Sequence, residues 1–233
     1  QPGESGDIPY YMDSEEYKAA SKEIGELAET NRKEKEELDT AFKNSLKIPE
    51  GERLVLKSYV PNSDKKFEKK INEYNSQVSE YVSASLLDSD ASVTTVLFDK
   101  GRRRAFYQSI GARITLGKLD IHTYVHEIGH HLEHNSPGIR SACHAFLQER
   151  SSGKIISMKE ASGNESYRSD ERTRVPTGKK FINSYVGKIY NSGATEVFSM
   201  GLEQLMRGPI TFAKKDPAHF DLIVDGLRGK FRK

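Results

Sequence analysis

Apolar positions in this chain are sparse, and their phasing changes from segment to segment. Residues 14–46 are dense in Glu and Lys, while Tyr17, Ile24, Leu27 and Leu38 recur at helical intervals. That pattern predicts a solvated, salt-bridged helix with one thin apolar stripe. After a turn at Pro49-Glu50-Gly51, the run RLVLKSYV over 53–60 reads as a strand. Phe67, Ile71, Tyr74, Val78, Tyr81 and Val82 then share one side of an amphipathic helix over 65–87. VTTVLF over 93–98 is β-rich, and two shorter strands over 104–108 and 112–116 flank Ser109, Ile110 and Gly111.

The strongest periodicity follows, over 119–135. Ile121, Val125, Ile128 and Leu132 form one narrow stripe, with Asp120 as a helix start and Asn135-Ser136-Pro137-Gly138 as the stop. A further helix is predicted over 138–150. Residues 151–180 read as a long, polar, irregular loop carrying Arg168, Arg172, Arg174, Lys179 and Lys180, either solvated or meeting an acidic or phosphate-bearing ligand. The stretch 180–191 mixes aromatic and β-branched residues and ends in a turn at Asn191-Ser192-Gly193. A helix over 194–207 stops before Pro209, and a last one over 216–227 has Asp216 as cap and Pro217 at its first position. The fold class is α+β. A flexible segment with a charged helical arm over 1–50 precedes one domain over 51–233.

Composition narrows the function. Hydrophobic residues are 35% and charged residues 30% of the 233, and the mean hydropathy of −0.69 is that of a soluble protein. A net charge of +2 gives little pull on nucleic acid, so a nucleic-acid partner is not expected. No apolar run approaches membrane-spanning length, and no secretory signal is visible. The start at Gln1-Pro2-Gly3 suggests a fragment or processed product of a longer chain. The single cysteine, Cys143, allows no intrachain disulfide and reads as a buried apolar residue rather than a nucleophile.

The candidate chemistry lies in the 119–135 helix, at His126-Glu127-Ile128-Gly129-His130. Positions i and i+4 are about 40° apart around a helix, so both imidazoles leave one face, opposite the apolar stripe. Two neutral imidazoles so placed can grip one zinc ion, and the adjacent Glu127 can take a proton from water. Gly129 costs about 1 kcal/mol of helix stability and leaves room for a close neighbour. A catalytic zinc usually takes a third protein ligand. An extension of the motif along the same helix fails, because Glu133 and Ser136 stand where a glycine-bounded third His belongs. On the downstream helix Glu196, Met200 and Glu203 lie off the apolar side. Glu196, read as a first-turn residue, is the best-placed ligand, and Glu203 can instead pair with Arg207. Asp170 and Glu171 come next. Tyr190, Tyr185 and His134 are candidate donors to an oxyanion, and His122 could support the site. His122, His131 and His134 each read alone as polar surface histidines. The strand 112–116 would suit a sheet edge that holds an extended peptide, or is equally an ordinary internal or edge strand with no substrate role.

These residues resemble the gluzincin branch of the zincin metallopeptidases over roughly 65–207. The stretch from Tyr190 to Glu196, YNSGATE, looks like the lethal-factor-type peptidases. HEIGHHLE followed by ATEVFSMGLEQL and DPAHF is more loosely similar to metallopeptidase modules of phage head-morphogenesis and toxin-type polypeptides. The resemblance implies a zincin-like fold, with a small mixed sheet, an active-site helix and a helical C-terminal part. It implies a protein or peptide substrate, Zn²⁺ held by His126, His130 and Glu196, Glu127 as general base, and Tyr190 assisting the transition state. Thermolysin-like members carry an acid four residues after the ligand Glu; here that residue is Met200, so support for the site must come from elsewhere. Two other classes stay open: a zinc-stabilised structural or binding module without turnover, and a peptidase recruited to nucleic acid through its basic loop and its tail over 228–233.

Overall fold

A computed structural model describes residues 14–61, 65–178 and 180–232. The expected loose segment before residue 13, and Lys179, lie outside the described residues. The chain divides into two compact units, Gln1–Asn44 and Ser45–Lys233. In the first, α1 (Glu15–Leu46) buries none of its residues, and Tyr17, Ile24, Leu27 and Leu38 stay exposed. Its surface carries ion pairs one turn apart, such as Arg32 with Glu29 and Glu36 at 2.7 Å each, which contribute little individually.

The second unit is built on a four-stranded mixed sheet in the order β1-β2-β4-β3, formed by β1 (Lys57–Tyr59), β2 (Val93–Phe98), β3 (Phe106–Gln108) and β4 (Arg113–Leu116). β1, β2 and β4 are parallel; β3 runs antiparallel to β4 and forms the edge. The strand predicted over 53–60 shrinks to β1, because Leu54 and Leu56 are buried without joining the ladder. α2 (Lys65–Ser79) ends earlier than its apolar side suggests. Tyr81, Val82, Leu86 and Leu87 are still buried, but in irregular chain; there Leu54 N–H bonds the Val82 carbonyl at 2.8 Å and Ser83 N–H bonds that of Leu227 at 2.8 Å.

α3 (Ile121–Asn135) follows its sequence pattern. The Asp120 carboxylate accepts from the N–H groups of His122 and Thr123, and Val125, Ile128 and Leu132 are wholly buried. Ser136 ends α3 and its side chain caps α4 (Pro137–Arg150), where Cys143 is buried. Residues 151–180 are not an irregular loop. β5 (Ser151–Ser157) and β6 (Arg172–Pro176) form an antiparallel pair with the short α5 (Met158–Ser162) between them. β5 hid from the sequence because its residues are mostly exposed or half-buried, Ile155 at 56%, so no apolar alternation marks it. Ser184–Gly187 is a turn of 3₁₀ helix. α6 (Val197–Arg207) ends at Gly208, and Pro209 opens a further helix, α7 (Pro209–Lys215), instead of ending helical structure. α8 (Pro217–Leu227) has the expected Asp216 cap. Among the described residues no helix is long and apolar enough to cross a membrane.

Two buried groups tie the C-terminal helices together. Asp216 accepts two hydrogen bonds from the Arg150 guanidinium at 2.6 and 2.8 Å. His219 Nε2–H donates to the Val197 carbonyl at 2.8 Å, which fixes the neutral tautomer. Burial holds the His219 pKa down at about 4, against an ordinary 6.5. The unfolded chain therefore binds a proton that the folded chain refuses between those values, and stability should fall as pH drops through that window. Below it, Asp216 adds to the loss, because although burial opposes its charge, Arg150 holds its carboxyl below the ordinary range. His219 should contribute up to about 1.4 kcal/mol per pH unit between roughly 6.5 and 4, read as the difference between the wild-type and His219→Gln denaturation profiles, because the buried Glu133, held up at about 7, acts in the opposite sense over part of that window. Identical profiles for the two proteins would place the titration elsewhere.

Candidate metal centre

α3 presents His126 and His130 one turn apart, with ring centroids 5.0 Å apart. Glu196 is not inside the first turn of α6 but is the residue just before it, and its side chain makes no capping bond. The carboxylate turns to the histidines instead. Its Oε2 lies 3.1 Å from His126 Nε2 and 3.2 Å from His130 Nε2, and the three donor atoms all lie within 4.8 Å of one another. Tetrahedral ligands about 2.1 Å from an ion sit about 3.4 Å apart, so these spacings match what one ion requires. Two imidazoles and a carboxylate could therefore hold a metal ion here.

The electrostatics agree. Burial works against the Glu196 carboxylate, but His130 and His126 outweigh it and hold the group well below the usual range. Burial likewise opposes charge on His126, yet the carboxylates of Glu196 and Glu203 raise it to about 10. The pocket is arranged for positive charge, which protons supply when no cation does.

Other side chains fix the donors, and several were not visible in the sequence. Glu203 Oε2 lies 3.3 Å from His126 Nδ1 and also takes Arg207 at 2.9 Å. It therefore orients a donor imidazole from the far ring nitrogen, as well as pairing with Arg207 as expected. Its i+7 spacing from Glu196 was the available signal. Ser199 Oγ donates to Glu196 Oε2 at 2.9 Å, and the Tyr190 hydroxyl donates to Glu196 Oε1. Met200 is buried and gives no polar support. Glu133, which stands where the extended motif has its glycine, accepts from Thr195 N–H and Thr195 Oγ at 3.0 Å each, clasping the residue before Glu196 to α3.

The donors line a cleft of about 530 Å³, with Glu127 beside them. Burial pushes the Glu127 carboxyl above its ordinary range, against the pull of His130 and His126. The wall is β3 and the residues up to Ile110, so the strand at the cleft is Phe106–Gln108. β4 is internal, paired on both sides, so of the two readings of 112–116 it is the ordinary internal strand that the sheet shows. Tyr185 and Tyr190 form the opposite wall, their hydroxyls 3.4 Å apart, and Lys188 Nζ donates to Tyr185 at 3.1 Å. Glu171 is engaged by Lys188 at 3.2 Å and Asp170 by Arg168 at 3.4 Å; neither joins the donor cluster. His122 is half-buried and does not line the cleft. His131 is not a surface residue: it is buried, with its ring nitrogens 2.7 Å from the Ala91 carbonyl and 3.2 Å from the Tyr107 hydroxyl. His134 is exposed, lines the cleft, and receives Arg140 on Nδ1 at 2.9 Å.

Glu203→Ala should lower metal affinity by about 10–100-fold in a chelator competition, the usual effect of removing the partner of a ligating imidazole. Glu196→Ala should lower it far more. Wild-type affinity in Glu203→Ala would mean that the His126 contact has no bearing on metal binding. No protein-family model, curated protein or solved structure matches this chain, so a functional reading rests on the site itself.

Proposed function

We propose that this protein is a zinc-dependent endopeptidase of the gluzincin type, with a zincin-like catalytic unit. The observation that carries the reading is the convergence of His126, His130 and Glu196, with Glu127 alongside, in an open cleft. His126, His130 and Glu196 would hold the ion. Zinc so held supplies Lewis-acid polarisation of the scissile carbonyl and a lowered pKa for attacking water.

The remaining work falls to the chain's own residues. Glu127 takes the proton from the attacking water and delivers it to the leaving amine. Its burial favours the first half of that task, since a carboxyl raised above its ordinary range is a stronger base. Tyr190 bonds Glu196 in the resting arrangement, so helping an oxyanion requires its hydroxyl to turn into the cleft. The Tyr185 hydroxyl lies 3.4 Å from that of Tyr190 and is itself held by Lys188. β3 is paired on one side only, and the other row of backbone groups suits an extended peptide. A zinc-holding module without turnover needs neither a buried carboxyl beside the donors nor a cleft reaching them. The near-neutral net charge gives the nucleic-acid reading no support.

Glu127→Gln should retain stoichiometric zinc and lose hydrolysis of a peptide library, because Gln keeps the shape and cannot take the proton. Near-wild-type turnover in that variant would remove Glu127 from the role. Tyr190→Phe should lower kcat by about 10²–10³ if Tyr190 serves as an oxyanion donor. A change in zinc affinity alone, with kcat intact, would confine Tyr190 to holding Glu196.

A further inference from the structure

Within the cleft the charges are not balanced. Among the described residues three acidic side chains line it, Glu127, Glu133 and Glu196, against one guanidinium, that of Arg140, with no other Arg and no Lys. Glu127 and Glu196 belong to the metal site, and both Glu133 oxygens are taken by Thr195. Other arginines of this unit have carboxylate partners: the half-buried Arg150 has Asp216, and the exposed Arg104 has Glu171. Arg140 has none among the described residues. One of its terminal nitrogens donates to His134 Nδ1 at 2.9 Å and to the His134 carbonyl at 3.2 Å, which anchors the side chain to the end of α3. Its Nε–H is shielded from solvent and has no acceptor. A guanidinium normally matches a carboxylate with two parallel bonds, and here both the charge and part of the donor set are unspent.

We propose that Arg140, with His134 and the Tyr107 ring beside it, makes this end of the cleft a subsite for a substrate carboxylate. The inference rests on the peptidase reading above, and it names the substrate class: peptides carrying Asp or Glu, or a free chain terminus, a short way from the scissile bond. His134 stands one turn, about 6 Å, beyond His130 on α3. An extended peptide advances about 3.3 Å per residue, so the carboxylate belongs within about three residues of the bond to be cut. Anchoring at the end of α3 keeps Arg140 from reaching the metal-site carboxylates, so its charge stays available at this end.

The test uses zinc-loaded Glu127→Gln protein and fluorescent Gly/Ala octapeptides carrying one Glu or one Gln scanned along the sequence, each with a free or an amidated C-terminus. Binding is read by anisotropy. At one position Glu should bind about tenfold or more tighter than Gln. Adding Arg140→Gln should bring that ratio to about one, and Arg140→Glu should turn the preference towards a Lys-bearing peptide. A ratio is insensitive to the fraction of folded protein, so a stability loss in the variants cannot imitate the result. A Glu preference that survives amidation assigns the carboxylate to a side chain, and tighter binding of the free than of the amidated Gln peptide, lost in Arg140→Gln, assigns it to the chain end; both support the subsite. Equal binding of Glu and Gln peptides at every position together with equal binding of free and amidated peptides, or a preference that persists in Arg140→Gln, overturns it. A parallel digest with zinc-loaded wild-type protein separates the two readings. Absence of any cleavage removes the peptidase assignment, while the binding ratio still decides the subsite.

Discussion

Two helices can bring a carboxylate within about 3.2 Å of two imidazoles only if their backbones nearly touch. The crossing of α3 and α6 meets this condition at Gly129, where a Cβ would lie 2.4 Å from the Ser199 Cα. That is below any real contact, so no side chain fits there, and the helix propensity lost at Gly129 is the cost of the approach. The crossing is then locked from several directions. Glu133 clasps Thr195, His219 holds the Val197 carbonyl, and Ile223 and His219 close over Gly201 so tightly that a Cβ there would lie 2.4 Å from Ile223. α8 contributes no donor atom, yet it sets where Glu196 stands.

The same crossing buries a polar cluster inside an apolar unit. Glu127, Glu133, Glu196 and His131 are all at most 5% exposed. Glu133, Glu196 and His131 are each compensated by a named partner, and what the protein alone supplies to Glu196 is the two imidazoles, Ser199 and Tyr190. Buried charge without such partners costs several kcal/mol, so the cluster is tolerable only as a whole. A cation between the imidazoles and the carboxylate would replace protons with a fixed charge, so binding and stability should be linked.

The site was legible where its chemistry is local. The His126–His130 spacing, the Asp120 cap and the Ile128–Leu132 stripe lie within one helix, and the sequence alone defines them. Glu196 was nominated by its place near the start of a helix, although it proves to stand just before α6. Less legible were contacts that depend on how helices cross. Glu203 was paired with Arg207 and also reaches His126; Glu133 marked only a mismatch with the extended motif and is a clasp; Arg140 carried no signal. The same reasoning covers the fold. α2, α3 and β2 announce themselves by periodicity, whereas β5 and β6 form a largely exposed ladder with little apolar phasing, and α7 hides behind a proline that starts a helix as readily as it stops one. Whether β4 was edge or internal stayed open because the short β3, three residues long, gave too little pattern to be placed outside it.

X-ray absorption at the zinc edge on stoichiometrically loaded protein tests the central claim most directly. The account predicts one zinc per chain, two imidazole nitrogens and a carboxylate oxygen at about 2.0–2.2 Å, and one further light-atom position that exchanges with solvent. Loss of one imidazole shell in His126→Ala or His130→Ala, and of the carboxylate in Glu196→Ala, would follow. A sulfur shell, a fourth protein side chain closing the sphere, or no stoichiometric metal at all would contradict it.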